Sequence, residues 1–179
     1  MTSESGELRI ALLQAANAEV ISTAFRAAGW NKPSLQYQSY LEEQNLGDRV
    51  VLVAWLDAGF AGYVTLVWQS DYGPMNADGV PEIKDLNVLP AYRRRGIASR
   101  LLDEAERLAS ARSTEVGIGV GLHPGYNAAQ RLYVKRGYVP DGRGVTYRNG
   151  FIREGATIVA DDELVLHLRK ELPASWGSG

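Results

Sequence analysis

The order of apolar and polar residues divides the first half of the chain into strands and helices. Apolar runs rich in β-branched and aromatic residues predict strands, whereas apolar residues spaced three and four apart predict helices. The predicted elements are strands at residues 8–13, 50–56 and 60–68 and helices at residues 15–28 and 34–46. Asp57-Ala58-Gly59 lies between the second and third strands and is typical of a turn, so these strands are expected to form a hairpin.

The second half of the chain alternates strands with helices. The predicted elements are strands at residues 82–89, 116–122 and 163–168 and helices at residues 96–111 and 127–136. Residues 69–81 are polar and contain Gly and Pro, which predicts a loop. Residues 141–162 are rich in glycine and predict an irregular segment with short strands near Val145 and Ile158. This order indicates an α/β fold with a mixed sheet and helices on both faces.

Length and composition limit the classes of protein to which the chain can belong. Its 179 residues fit one domain, taken as residues 1–179 with a loose tail at 173–179. The chain has no cysteine and only two histidines, His123 and His167. Disulfides, cysteine nucleophiles and histidine-based zinc sites are therefore not expected. No bound metal ion is expected either. The net charge of −2 gives no general attraction to nucleic acid.

One apolar stretch, residues 50–68, has about the length that crosses a membrane. Its central turn and its β-branched residues favour the hairpin instead, so no membrane span is expected. The chain starts MTSESGELR, which is polar and lacks the apolar core of a secretory signal. A cytoplasmic location is therefore expected.

The segment most informative about chemistry is residues 85–98, which read DLNVLPAYRRRGIA. A strand ends at a proline, a basic turn follows, and small residues open a strongly amphipathic helix. The first N–H groups of a helix lack partners within it, and the helix dipole adds partial positive charge there. Gly96 and Ala98 leave room for a pyrophosphate to approach these N–H groups closely. The segment therefore predicts an anion site.

Other interpretations of these arginines and of the downstream glycines are weaker. A bare basic triplet is more often a solvated turn, and it is the strand–turn–helix context that favours the anion site. A nucleic-acid surface is not expected, because no basic stripe with interleaved aromatic residues accompanies the triplet. Gly117, Gly119 and Gly121 resemble part of a dinucleotide-binding fingerprint, but no helix begins at them.

Two motifs follow each other with one predicted strand between them. The first is Arg93-x-x-Gly96-x-Ala98, and the second is NAAQRLYVKRGY at residues 127–138. They resemble the Q/R-x-x-G-x-G/A signature and the N-x-x-A-x-x-L-Y-x-x-x-G-F segment of the GNAT superfamily of acyl-CoA-dependent N-acyltransferases. The second motif departs in its alanines at 128 and 129 and in Tyr138, which replaces the common Phe. The resemblance covers residues 50–140 best and implies a mostly antiparallel sheet whose parallel fourth and fifth strands splay apart.

The resemblance implies an N-acetyltransferase that uses acetyl-CoA as co-substrate, without a metal. Main-chain groups of Leu86 and Val88 would pair with the pantetheine arm like an added strand, and Asn127 would contact the cofactor. Gly117, Gly119 and Gly121 would suit a close approach of that arm, although glycines in a strand equally mark a bulge. The pyrophosphate would be held at the turn and the helix start, by Arg93, Arg94, Arg95, Gly96, Ile97, Ala98 and Ser99.

The acceptor amine must lose a proton before it attacks the thioester, because a free aliphatic amine has a pKa of about 10.4. A carboxylate can take this proton directly or through water. Glu82 and Asp85 are both candidates, and on a regular strand their spacing places them on opposite faces. The family's usual position favours Glu82, whereas polyamine-type relatives carry an acidic residue at the position of Asp85. Each carboxylate could equally serve in an ion pair or a strand-end hydrogen bond.

Two further roles follow from the resemblance alone. The Val88 N–H would stabilise the oxyanion of the tetrahedral intermediate, as preorganised N–H groups do. Tyr133 would give a proton to the departing CoA thiolate, although a tyrosine on a helix is otherwise most often a core residue.

The acceptor itself stays open among small-molecule amines, polyamines, aminoglycoside-like compounds and peptide N-termini. Asp71 and Asp78 would suit a cationic amine. The aromatic candidates for the acceptor pocket are Trp30, Tyr37, Tyr40, Trp68 and Tyr72. Ordinary core and loop roles are at least as common for all of these residues.

Two other functions compete with the enzyme. A non-catalytic acyl-CoA-binding sensor would have the same fold, but Tyr133 and an acidic strand residue favour catalysis. A nucleotide-binding or basic interaction module would bind ATP or DNA rather than CoA. Members of the family are often dimers, but the sequence does not decide between a homodimer and a monomer.

Overall fold

The computed structural model of the chain describes residues 6–174. Residues 1–5 and 175–179 lie outside the described part, and with them most of the predicted loose tail and of the polar start of the chain. By their contacts the described residues group into two units. The first contains residues 6–67 and 85–106, and the second contains residues 68–84 and 107–174.

The first unit holds the amino-terminal strands and helices. Its elements are β1 (Leu8–Leu12), α1 (Asn17–Ala27), α2 (Ser34–Leu46), β2 (Arg49–Leu56) and β3 (Gly59–Val67), with parts of β4 (Glu82–Val88) and α4 (Ile97–Ser110). Hydrogen bonds order the strands β1-β2-β3-β4. β2 runs antiparallel to both β1 and β3.

The predicted hairpin of β2 and β3 is confirmed, and its turn has two residues. Asp57 and Ala58 have positive φ angles of 49° and 66°, as the two central residues of a type I′ turn require. Leu56 and Gly59 then pair across the turn. The turn explains why an apolar stretch of this length folds back on itself. No described helix combines the length and the apolar character needed to cross a membrane.

An aromatic core joins the helices of the first unit to its strands. Ile21 and Phe25 are one helical turn apart, so both point to the same side of α1, and both are fully buried. The Phe25 ring meets Phe60 and Tyr63 edge-on at 5.4 and 5.9 Å. Tyr37 of α2 meets the same Tyr63 ring at 5.4 Å. Edge-to-face contacts at these distances add to the stabilisation from burial.

The second unit holds the carboxyl-terminal strands. Its elements are α3 (Gly73–Ala77), β5 (Glu115–Gly121), α5 (Asn127–Lys135), β6 (Val139–Tyr147), β7 (Gly150–Phe151) and β8 (Leu164–Glu171), with the remaining parts of β4 and α4. The strand order is β4-β5-β8-β6-β7. β8 runs antiparallel to β5 and β6, and β7 antiparallel to β6.

β4 and β5 are parallel, as the sequence predicts. Their register pairs among the described residues are Glu82 with Gly117 and Ile83 with Ile118. β4 itself continues to Val88, and its extended course is interrupted at Asp85, whose φ is 52°. The expected α/β fold, with a mixed and mostly antiparallel sheet and one parallel pair, is confirmed.

The segment predicted to be irregular from residue 141 begins instead as the long strand β6. Gly142 and Gly144 both have a φ of 80°, and the pairing with β8 shifts register between Pro140 and Val145. Bulges insert extra residues into one strand and often use glycine at positive φ. The DGRG sequence therefore belongs to a bulged strand, although it has the composition of a turn.

The short strand predicted near Val145 is confirmed as part of β6, whereas the one predicted near Ile158 is wrong. Arg148 and Asn149 have positive φ angles of 51° and 62°, so the chain reverses there and pairs Tyr147 with Gly150. The second short strand is therefore β7, and Ile158 lies in no strand.

Three smaller differences concern predicted boundaries and faces. A short helix, α3, interrupts the predicted loop at 69–81, because Pro74 is favoured in a first helical turn. β8 extends to Glu171, where it pairs with Glu115 at the start of β5. On α4, Glu106 is 1% exposed, although charged residues of an amphipathic helix are expected on its solvent face.

Candidate functional site

The basic turn of the first unit contains two residues with left-handed backbone angles. A short 3-10 helix, Pro90–Tyr92, follows β4. Arg94 and Gly96 then have positive φ angles of 61° and 75°, and α4 begins at Ile97. Turns with left-handed residues expose successive N–H groups on one side and form concavities that bind anions. A side chain placed on Gly96 would meet no atom within 4 Å, so this part of the turn is open.

The side chains of this turn divide into cations and an anchor. Arg93, Arg94 and Arg95 are exposed. The Arg93 guanidinium lies 5.7 Å from the Trp30 ring centre, and that of Arg95 lies 5.9 Å from the Tyr92 ring centre. Ile97 is only 1% exposed, so its side chain fixes the helix start in the core. Ala98 and Ser99 are half-buried and continue the first helical turn.

The carboxyl-terminal half of β4 approaches β3 closely in the first unit. A side chain on Gly62 would overlap the Asn87 carbonyl oxygen, and the Leu89 N–H donates to Ala61 O at 2.9 Å. Leu86 and Val88, the residues predicted to pair with pantetheine, are half-buried here. Only a glycine at position 62 allows this approach.

Asp85 lies beside a group of tyrosines in the first unit. The Tyr40 hydroxyl donates a short hydrogen bond to Asp85 Oδ2, and Gln36 Nε2 donates to the Tyr40 oxygen at 3.1 Å. The Asn87 side chain donates to the Asp85 carbonyl oxygen at 3.0 Å. Burial raises the pKa of Tyr40, and the Asp85 charge raises it further. Tyr40 therefore keeps its proton at neutral pH and acts as the donor in this pair.

Glu82, the other candidate base, has a different environment in the second unit. It is 4% exposed, and Ser70 Oγ donates to Glu82 Oε2 at 2.6 Å. The same Ser70 oxygen accepts from the Tyr72 N–H at 3.0 Å. Glu82 therefore holds the start of the loop after β3 through a buried hydrogen-bond chain.

Tyr133 and Asn127 both belong to α5 in the second unit. Asn127 opens the helix and is exposed, whereas Tyr133 is 5% exposed. Burial raises the pKa of the Tyr133 hydroxyl, and Tyr126 adds to the effect. Gln130 Nε2 donates to the Gly121 carbonyl oxygen at 2.9 Å and joins α5 to the end of β5. The Tyr133 phenol is therefore a neutral donor at physiological pH.

The three glycines of β5 make room for side chains of the protein itself. A side chain on Gly117 would overlap Met75, and one on Gly121 would overlap Tyr126. A side chain on Gly119 would meet Val165 Cγ1 at 2.9 Å. The side-chain positions of these glycines are therefore filled by other segments of the second unit.

His167 forms a buried polar group that the sequence pattern does not single out. It is 2% exposed and stacks on the Tyr72 ring at 3.6 Å. Its Nε2 lies 3.1 Å from Thr146 Oγ1, and its Nδ1 has no hydrogen-bond partner among residues 6–174. Burial lowers the pKa of His167 to about 4. The Tyr72 hydroxyl, in turn, donates to Asp141 Oδ2 at 2.7 Å.

The remaining pocket candidates have partners within their own unit. Asp71 forms an ion pair with Lys84 at 3.0 Å, and Asp78 forms one with Arg169 at 2.7 Å. Trp68 packs beneath the Arg112 guanidinium at 3.9 Å. Tyr37 and Tyr72 are fully buried, so neither side chain faces an open pocket. Within the described part of the chain, no cluster of three or more His, Asp or Glu side chains is arranged to hold a metal ion.

Comparison with known proteins adds a family to this geometry. The model of the acetyltransferase (GNAT) family matches residues 16–138, which include α1 and α2 as well as both motifs. No curated protein matches the chain.

Solved structures share the fold at low identity. A ribosomal-protein-alanine N-acetyltransferase from Brucella melitensis is 20% identical, with a TM-score of 0.66 over 92% of this chain and 99% of that one. NAA60 from Arabidopsis thaliana, solved with a bisubstrate analogue, is 19% identical, with a TM-score of 0.67 over 94% and 100%. The yncA protein of Salmonella typhimurium, solved with its cofactor acetyl-CoA, is 17% identical, with a TM-score of 0.65 over 96% and 98%.

Proposed function

This chain belongs to the acetyltransferase (GNAT) family, and from that premise we propose that it is an N-acetyltransferase acting as one domain. It transfers the acetyl group of acetyl-CoA to a primary amine of a small molecule or peptide, by direct attack in a ternary complex. The observation that carries the proposal is the open turn with positive φ at Arg94 and Gly96, which leads into α4. Two of the fold's neighbours are named as N-acetyltransferase or solved with acetyl-CoA, which supports the same chemistry.

The cofactor is held by main-chain groups at both ends of the segment 86–99. N–H groups from Arg94 to Ser99 bind the pyrophosphate, and the arginines of the turn add long-range attraction. Main-chain groups of Leu86 and Val88 pair with the pantetheine arm, and Asn127 contacts the cofactor. The Val88 N–H stabilises the oxyanion that forms when the amine attacks the thioester carbonyl.

Asp85 is the group that takes the proton of the amine. The Tyr40 hydroxyl donates to Asp85 Oδ2. Asp85 Oδ1 receives no hydrogen bond from a described residue, so it is able to accept a proton, directly or through water. A non-glycine residue at a φ of 52° is strained, and such strain clusters at functional sites. Glu82 is less suited to this role, because it is almost fully buried and holds Ser70.

Tyr133 completes the transfer as the acid. When the C–S bond breaks, the CoA thiolate takes the phenolic proton, and the acetyl group remains on the nitrogen. Tyr133 carries its proton at neutral pH, as the acid of this step must. Asp85 takes the ammonium proton before the attack, and the nitrogen loses a second proton when the intermediate collapses to the amide. Tyr133 gives one proton to the thiolate and regains one through solvent, so one proton is released in each turnover.

The proposal is tested by mixing the protein with acetyl-CoA and a panel of amines and measuring the release of CoA thiol. We expect turnover with at least one amine, and Tyr133→Phe should lower kcat about 100-fold with little change in the KM for acetyl-CoA. Tyr138→Phe removes a hydroxyl from the neighbouring ring, 5.9 Å away, and is the matched control. Tight acetyl-CoA binding without turnover of any amine would instead support the acyl-CoA sensor.

A further inference from the structure

An open groove lies in the first unit where α1 ends and α2 begins. Its volume is about 450 Å³, within the range of roughly 300–1,000 Å³ typical of small-molecule sites. Its walls include Ser22, Arg26, Trp30, Asn31 and Lys32. Of the described residues that line it, Arg26 and Lys32 are cationic and none is acidic, so the groove is positively charged.

Lys32 has a fixed position at this groove. Its ammonium lies 5.6 Å from the Phe25 ring centre and 5.7 Å from the Tyr63 ring centre, and its Nζ donates to the Tyr63 oxygen at 3.4 Å. The side chain is half-buried and forms no ion pair with a carboxylate of residues 6–174. A partly desolvated ammonium without a counter-charge costs free energy, which a bound anion would offset.

Arg26 lines the groove, and Arg93 adds positive charge beside Trp30. Arg26 lies in the last turn of α1, is exposed, and has no carboxylate partner in the described part of the chain. The guanidinium of Arg93 lies over the Trp30 ring. The groove therefore combines an apolar aromatic wall with cations that have no acid of the protein to neutralise them.

Aromatic contacts within the first unit connect Lys32 to the proposed base. Tyr63, which accepts from Lys32, meets Tyr37 at 5.4 Å, and Tyr37 meets Tyr40 at 6.2 Å. The hydroxyl of Tyr40 bonds to Asp85. Lys32 and Asp85 therefore border the same group of aromatic rings in the first unit.

From these contacts we infer that the groove binds an acidic group, a carboxylate or a phosphate, carried by the acceptor amine. This inference rests on the proposed function and narrows its substrate to amines that also bear an acid, such as amino acids. Lys32 and Arg26 bind the acid, the Trp30 ring packs against the body of the molecule, and Asp85 receives the amine proton. The two aspartates that would suit a purely cationic amine, Asp71 and Asp78, are already neutralised by Lys84 and Arg169.

The test compares amino acids with their carboxamides as acceptors, with kcat/KM expressed per neutral amine, because amidation removes the acid and also lowers the pKa of the neighbouring amine. We expect kcat/KM to favour the acids at least about 10-fold, as for other charge-assisted contacts. Lys32→Met keeps the packing on Phe25 and Tyr63 and removes the charge, so it should abolish this preference through KM. Arg26→Gln should reduce it by a smaller factor. Lys135→Met removes an exposed lysine of α5 and should leave the preference unchanged.

Each other result counts against the inference in a recognisable way. Equal kcat/KM for acids and amides overturns the groove assignment and leaves the N-acetyltransferase standing. If Lys32→Met raises the KM for acetyl-CoA but not for its 3′-dephospho form, the cations bind the cofactor phosphate, and the inference is again overturned. If no amine is turned over, the proposed function fails. In that case calorimetry still tests the groove without catalysis. The wild type should bind amino acids more tightly than their amides, and Lys32→Met should not.

Discussion

In the first unit, Arg26 and Lys32 have no carboxylate partner among the described residues, whereas several charged side chains of the second unit have partners within it. Lys84 pairs with Asp71, Arg169 pairs with Asp78, and a serine holds the buried Glu82. Arg26 is exposed and solvated, but Lys32 is half-buried over two aromatic rings, where a charge without a partner costs free energy. A ligand that supplies the missing charge would offset this cost.

The comparison separates two kinds of substitution. Changes at the turn or at the groove of the first unit should weaken ligand binding by more than they lower the free energy of unfolding. Changes among the buried polar groups of the second unit should lower the free energy of unfolding and leave acetyl-CoA affinity unchanged. Three experiments test this division.

The largest effect is expected from Gly96→Glu in the turn of the first unit. A carboxylate at this position would repel the pyrophosphate, and such like-charge contacts cost several kcal/mol. We expect the Kd for acetyl-CoA, measured by calorimetry, to rise about 1,000-fold, equivalent to about 4 kcal/mol. Gly96→Ala carries the same left-handed strain, roughly 1–2 kcal/mol, without the charge and is the control. Undiminished acetyl-CoA binding by Gly96→Glu would remove the turn from the cofactor site.

A smaller effect is expected from the titration of His167 in the second unit. The folded state binds a proton to His167 with a pKa of about 4, against 6.5 when exposed. The unfolded chain therefore binds more protons between these values. Stability is unaffected above pH 6.5 and falls by roughly 3 kcal/mol as the pH drops to 4. Urea unfolding as a function of pH measures this loss.

The matched variant for this titration is His167→Phe, which keeps a ring against Tyr72 and cannot titrate. Between pH 6.5 and 4 its stability should fall less steeply than that of the wild type, since carboxylates titrate in both proteins. Asp141 raises the pKa of His167 and Lys84 lowers it, both less than burial does. Parallel curves for the two proteins would mean that His167 is not buried as described.

The smallest of the three effects is expected from Ser70→Ala. The change removes the 2.6 Å hydrogen bond to Glu82 and the acceptor of the Tyr72 N–H. Loss of partners for buried groups should cost about 2 kcal/mol of unfolding free energy, measured with urea. Ser110→Ala, which loses an exposed bond to the Arg107 carbonyl oxygen, should cost less than about 0.5 kcal/mol. If Ser70→Ala instead leaves stability intact and lowers kcat, Glu82 rather than Asp85 takes the proton.

Elements whose boundaries depend on neighbouring residues can be predicted from the sequence. α2 spans Ser34–Leu46 as predicted, because Pro33 favours a helix start and Gly47, with a φ of 84°, ends it. Of β6 only a short strand near Val145 is predicted, because its bulge glycines have the composition of a turn and the rest of the strand depends on pairing with β8. Hydrogen bonds between distant strands leave no periodic signal within a short window of sequence.

The candidate site shows the same division between local and distant information. The turn at 93–99 is predictable, since its glycine, its arginines and the following helix are consecutive residues. The spacing argument for β4 assumes a regular strand, and the φ of 52° at Asp85 breaks that regularity. The groove is missed because Arg26 and Lys32 look like solvated charges until Tyr63, 31 residues after Lys32, is known to accept from its ammonium.

The filled glycine positions of β5 have a consequence for evolution. Met75 occupies the volume that a side chain at position 117 would need, so the two positions share one fixed space. In relatives that keep this packing, a larger residue at 117 should be accompanied by a smaller one at 75, and the pair should covary. Position 121 and Tyr126 share space in the same way, so this second pair should also covary in family sequences.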